Sequence, residues 1–90
     1  MNKIIIKAAE ISNGDEFHKF IANALKLPYY YGNNLDALHD CLTDTTEKTV
    51  IEIDDLPLFK ANLGKYGDRI LRVIKDSARE NECIVFDEKI

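Results

Sequence analysis

Val50-Ile51-Glu52-Ile53, near the middle of the chain, is a β-branched run in which Val50 and Glu52 alternate with Ile51 and Ile53. Alternation at period two sends successive side chains to opposite faces, so the run reads as a strand with one covered face and one partly wet face. Two similar runs lie far away on either side: Ile4 to Ile6, where Lys3, Ile5 and Lys7 alternate with Ile4 and Ile6, and Ile84 to Phe86. The segments between them carry a helical period. Phe17, Phe20, Ile21, Ala24 and Leu25 recur at i, i+3, i+4, i+7 and i+8, an amphipathic helix entered through Ser12-Asn13-Gly14-Asp15 and ending before Leu27-Pro28. A second helix follows the turn Tyr31-Gly32-Asn33, with Asn34 as its N-cap and Leu35, Leu38, Cys41 and Leu42 turned inward. A third, short helix is expected from Leu58 to Leu63 behind Asp55 and Pro57, and a fourth that turns Ile70, Leu71, Ile74, Ser77 and Ala78 inward.

The order is strand, two helices, strand, two helices, strand. Each strand-to-strand connection is a long crossover, which joins parallel strands in a right-handed sense and leaves all the helices on one face of the sheet. The expected fold class is therefore α/β, a two-layer sandwich with about four helices. Ninety residues with 46% hydrophobic content suffice for one domain, and at this size folding buries roughly 60 to 65% of the chain's surface. With no linker, repeat or low-complexity tract, residues 1–90 are expected to form that single domain.

The opening MNKIIIKAAEI holds an apolar run of only three residues between Lys3 and Lys7, too short for a signal peptide's core or a membrane span, so a cytoplasmic location is expected. Cys41 and Cys83 lie far apart and lack CxxC spacing; in a reducing compartment both should be free and mostly buried. Sixteen acidic residues against twelve basic ones give a charge of −4 and a pI near 5.1. That balance disfavours nucleic acid and anionic membranes as partners, and points to a basic partner if a charged one exists.

Residues 27–45, LPYYYGNNLDALHDCLTDT, are the most unusual part of the chain. Three tyrosines, a Gly-Asn-Asn turn and a helix carrying Asp36, Asp40 and Thr43 at i, i+4 and i+7 make one surface. Two carboxylates at that spacing without a Lys or Arg repel each other, whereas an ordinary solvated helix face interleaves the opposite charge. Tyr30 offers a flat aromatic body with a polar tip, a type common in binding hot spots, while at least one of the three tyrosines should pack in the core. His39 stands between the acidic stripe and the apolar face, flanked by Asp36 and Asp40.

The run LPYYYGNNLDALHDCLTD resembles the recognition segment of the barstar family, intracellular inhibitors of a secreted ribonuclease, and GDRILRVIKDSARENECIVF extends the likeness to nearly the whole chain. The resemblance implies a three-stranded parallel sheet in the order 1-2-3 and a function, the plugging of a basic ribonuclease's phosphate-binding cleft by an acidic helix and the loop before it. It places partner contacts at Tyr30, Gly32, Asn34, Leu35, Asp36, Asp40 and Thr43, with Asp76 where the family's type member has Glu. His39 and Thr45 stand where that member has Trp, so His39 becomes a contact of different character. The chemistry agrees: carboxylates at helical spacing can occupy the Arg, Lys and protonated His sites that hold substrate phosphates.

Other chemistries fit the residues less well. His39 and Cys41 face different ways on a helix and His18 lies on another one, so no nucleophile and base pair forms locally, and the chain is not expected to be an enzyme. Asp36, His39 and Asp40 are weak metal ligands as a set, and no phosphate-binding or dinucleotide fingerprint is present, so neither metal nor cofactor is expected. One alternative stays open, an immunity or antitoxin protein of the same fold directed against a toxin that is not a ribonuclease.

Overall fold

The computed structural model describes residues 2–87. Strands β1 (Asn2–Ile6), β2 (Thr49–Ile53) and β3 (Ile84–Asp87) form one parallel sheet in the order β1-β2-β3. Ile4 lies opposite Ile51, which lies opposite Phe86, and Ile6 lies opposite Ile53. These residues share one face of the pleat with Ile84, and Ile4, Ile6, Ile51, Ile53 and Ile84 are all buried. Lys3, Ile5 and Val85 on the other face are exposed, as the alternation requires. Glu52 departs from that rule. It belongs to the wet face yet is only 5% exposed, and its carboxylate lies 3.4 Å from the ammonium of Lys3, which keeps the buried charge paired.

Helices α1 (Gly14–Leu25), α2 (Leu35–Thr43) and α3 (Leu56–Glu80) cover the inner face, with a single 3-10 turn at Ala8–Glu10. Each helix starts where a side chain can cap it. Asn13 accepts from Glu16 N–H while Glu16 accepts from Ser12 N–H, Asn34 accepts from Ala37 N–H, and Asp55 accepts from Leu58 N–H ahead of Pro57. Such caps contribute about 1 kcal/mol each. Among the described residues no helix is long and apolar enough to cross a membrane.

One expectation needs correction and two are refined. The expected third and fourth helices meet directly at Gly64, whose φ of 57° and ψ of −135° break the helical path and divide α3 into two stretches. A Cβ at Gly64 would meet nothing within 4 Å, so the glycine is there for its backbone and not for space. On α1, Ala24 is exposed instead of inward, and the buried set is Phe17, His18 and Ile21. Both cysteines are free, and each is half-buried. The core gathers Phe17, Ile21, Leu38, Leu42, Phe59, Ile70 and Ile74 over the sheet, with the Phe17 and Phe59 rings edge to face at 6.2 Å. Burying each such side chain contributes roughly 1.5–3 kcal/mol before chain entropy is set against it.

Candidate partner-binding face

Helix α2 is fixed at both ends. At its start, the three consecutive tyrosines divide the labour. Tyr31 is 8% exposed and its hydroxyl lies 2.7 Å from Nδ1 of His18, whose Nε2 lies 2.6 Å from the hydroxyl of Tyr66 on α3. Burial holds the His18 pKa below its ordinary value, against the pull of Asp15. A neutral imidazole has one donor and one acceptor nitrogen, so one tyrosine donates to it and the other accepts from it. Burial likewise pushes the Tyr31 phenol up, with Cys41 and Tyr66 adding to the effect. This network bolts the loop before α2 onto α1 and α3, and its neighbours are thereby turned outward. Tyr30 is 76% exposed and Tyr29 fully so, their rings edge to face at 5.6 Å.

The turn closes through Asn33 in the left-handed region (φ 52°) and through Asn34, whose amide donates to Gly32 C=O at 3.2 Å while its oxygen caps α2 at 2.8 Å. A Cβ on Gly32 would come within 3.0 Å of that amide nitrogen and press on the cap. At the far end, the amide of Asn81, just after α3, donates to the carbonyls of Leu42 (3.0 Å), Thr43 (3.2 Å) and Thr45 (2.8 Å). The carbonyls of Leu42 and Thr43 belong to the last turn of α2, where a helix runs out of intrahelical donors, and that of Thr45 lies just past it. The Asn81 oxygen in turn accepts from Cys83 N–H at 3.0 Å, so one side chain ties α2, α3 and the entry to β3 together.

The outward side of α2 carries Asp36, Asp40 and Asp44, all exposed and spaced at i, i+4 and i+8. Asp40 has 82% of its side chain exposed. It borders a groove of about 570 Å³ between α2 and the preceding loop, which Tyr30, Gly32, Cys41, Asp44 and Thr45 also line and to which no Lys or Arg among the described residues contributes. Burial, and then the charges of Asp40 and Asp44, push the Cys41 thiol up, so it is protonated and inert as a nucleophile at neutral pH. The hydroxyl of Thr43 is spent on the carbonyls of His39 (2.9 Å) and Asp40 (3.2 Å), and Leu35 is half-buried against the core.

On the opposite edge of the face, His39 reaches across to α3. Its Nε2 lies 2.6 Å from Oε2 of Glu80 and its Nδ1 lies 4.0 Å from Oδ1 of Asp40. The hydrogen bond to Glu80 raises the His39 pKa above its ordinary value, partial desolvation opposes this, and the charges of Glu80, Asp40 and Asp76 add to the rise. The imidazole therefore owes its shift first to Glu80, where the sequence points to Asp36 and Asp40. Asp76, one turn before Glu80, is ion-paired with Arg79.

The structure thus brings Tyr30, Gly32 and Asp40 to one groove and places His39, Asp40 and Asp76 in one electrostatic cluster. Asn34 acts as a helix cap, and Thr43 turns its hydroxyl to the backbone. Sequence reading missed Glu80, Asp44, His18 and Asn81. Glu80 had a signal, since it follows Asp76 at i+4 on the same helix face; Asp44 extends the acidic stripe by one more such step. Asn81 had none beyond being an Asn at a helix end. Among the described residues no three metal-ligating side chains gather into a group.

A small α/β sandwich that presents one firmly anchored acidic helix beside an exposed aromatic loop is a binding module in form. The family profile described as Barstar (barnase inhibitor) matches residues 1–87, and the chain belongs to the barstar family. It is 36% identical over 81 residues, 89% of either chain, to the Bacillus subtilis (strain 168) protein YrdF, which bears the provisional name of ribonuclease inhibitor.

Proposed function

We propose that this protein binds a basic ribonuclease of the secreted, barnase-like type and blocks its active-site cleft with α2 and the loop before it. Family membership and the name carried by the YrdF relative support a ribonuclease as the target. The observation that carries the binding mode is Asp40, 82% exposed beside a groove to which no basic residue among those described contributes. A carboxylate so placed fits a site built for phosphate, because the Arg, Lys and His⁺ groups of such a site donate charge-assisted hydrogen bonds to either anion. Tyr30 supplies a flat apolar surface next to that charge, and Asp36, Asp40, Asp44 and Asp76 give the face the sign that speeds encounter with a cationic partner. The protein acts as a stoichiometric blocker in the cytoplasm, with no catalytic group of its own.

Titration of the purified protein against basic ribonucleases, read as inhibition and as binding, tests this reading. Asp40→Ala should weaken the complex by at least about 2 kcal/mol, roughly thirtyfold, because several buried cations of the enzyme lose their counter-ion. Asp76→Ala should cost less, since this carboxylate is shared with Arg79 on its own helix. Parental affinity in Asp40→Ala sinks the phosphate-mimic mechanism. Binding to a nuclease toxin of another class, with no ribonuclease captured, favours the immunity-protein alternative that His39 and Thr45 leave open.

A further inference from the structure

We infer that docking of a cationic partner on this face is coupled, through the hydrogen bond between His39 and Glu80, to the release of one proton. The inference deepens the proposed function and rests on it. His39 and Glu80 come from different helices and meet at 2.6 Å, with 36% and 55% of their side chains exposed, so both are within reach of an incoming protein. The other charged groups facing the imidazole are Asp40 on α2 and Asp76 on α3, the latter already engaged by Arg79.

With the imidazole protonated, the pair presents an approaching cation with two obstacles. A positive charge stands 4.0 Å from Asp40, the carboxylate the partner needs most, and Glu80 is already occupied. Loss of one proton from the imidazolium to solvent relieves both. The positive charge disappears, Glu80 keeps at most a neutral N–H donor in place of a charge-assisted one, and an Arg or Lys of the enzyme can displace that weaker bond. The raised pKa of His39 brings this exchange toward neutral pH, where a modest change in acidity alters its occupancy. Binding and proton release are then linked reciprocally: the partner favours the neutral imidazole, and acid favours the free protein. The pair also defines what the site accepts. A partner that presents a cation opposite Glu80 gains from the exchange, and one that presents an apolar surface there leaves the ion pair intact and shows no linkage.

The test has one arm on the free protein and one on the complex. In the free protein, proton NMR of the His39 ring should give a titration midpoint above the ordinary value of about 6.5, and Glu80→Gln should lower it; an unchanged midpoint in Glu80→Gln overturns the pairing. In the complex, the dissociation constant for a ribonuclease should rise by up to about tenfold per pH unit below that midpoint, and calorimetry in buffers of different ionisation enthalpy should detect proton release. His39→Gln should flatten the pH dependence relative to the parent protein, a difference in which titrating groups of the enzyme cancel. A slope as steep in His39→Gln as in the parent overturns the coupling. If no ribonuclease binds at any pH, the proposed function fails and the docking half falls with it, whereas the midpoint in the free protein still decides whether Glu80 holds His39.

Discussion

His18 is enclosed between the hydroxyls of Tyr31 and Tyr66, while His39 lies at the surface with one nitrogen on Glu80. The same side chain does opposite work in the two places. Around His18 the environment is neutral and dry, so burial lowers the pKa and the ring serves as a fixed bridge of hydrogen bonds. Around His39 the environment is acidic and wet, so the carboxylates raise the pKa and the ring carries a charge that can be lost. One site is framework and the other is part of the proposed interface. The difference teaches that the acidic face depends on a rigid support behind it: Asp40 is presented outward because Tyr31, nine residues earlier, is held inward.

The contrast is broken most severely at His18. Replacing it with Ala leaves a void against Phe17, whose ring lies 5.3 Å away, and strands the buried Tyr31 hydroxyl. The expected loss is about 2–4 kcal/mol of unfolding free energy, read by denaturant melts, and a loss below about 1 kcal/mol would mean that the network adds little. Asn81→Ala comes next, at about 1–2 kcal/mol, because three carbonyls at or just past the end of α2 lose a side-chain donor, although that of Leu42 keeps Thr45 N–H. In that variant, amide exchange should accelerate at the C-terminal turn of α2 before it does so in the sheet; uniform acceleration would show that Asn81 supports the whole fold and not the helix end.

On the interface side, effects on stability should be small. Asp40→Ala should leave the unfolding free energy within about 0.5 kcal/mol, with a gain of a few tenths at pH values where His39 is neutral, since Asp36 and Asp44 flank it at i−4 and i+4. A destabilisation above about 1 kcal/mol would make Asp40 part of the framework after all.

The smallest effect concerns pH and has opposite signs for the two rings. His18, with its folded pKa lowered, gives stability that is complete above the unfolded value of about 6.5 and is lost as pH falls toward the folded pKa. His39, with its folded pKa raised, gives stability that is complete below about 6.5 and is lost as pH rises through the folded pKa. Solvent screening limits the His39 contribution to about 0.5 kcal/mol. Parent and His39→Gln melts should therefore differ slightly at mildly acid pH and converge in mild alkali; divergence in alkali would reverse the sign and remove Glu80 as the partner.

What could be read in the sequence follows the range of the forces involved. The strands at Ile4 to Ile6, Val50 to Ile53 and Ile84 to Phe86 were legible because their pattern is local, and so were the caps at Asn34 and Asp55, each of which acts over three residues, while Asn13 showed only as part of the run that enters α1. The break at Gly64 was legible as the boundary after Leu63 between two expected helices, although the positive φ that makes it leaves no trace in periodicity. The candidate face was legible as a stripe of acids and as a family likeness. Its two cross-braces were hidden: Glu80 lies 41 positions from His39 and Tyr66 lies 48 from His18. Nothing in a local window signals either pairing, and only the parallel topology brings them together.

That topology also sets a timetable. In the register of the sheet Asn2 pairs with Thr49, and Thr49 with Ile84, so every strand contact closes a long stretch of chain, and such non-local pairings place folding toward the slow end for small domains. The order matters as much as the rate. A nascent chain that has emerged as far as β2 already contains the loop, α2 and Asp40, and could pair β1 with β2. It lacks Tyr66, Glu80 and Asn81, which lie on α3 or just past it and anchor the loop, hold His39 and tie down the end of α2. On the proposed function, competence to bind arrives only when the last turn of α3 has docked, and an unfinished chain carries the acids of the face without the bracing that aims them.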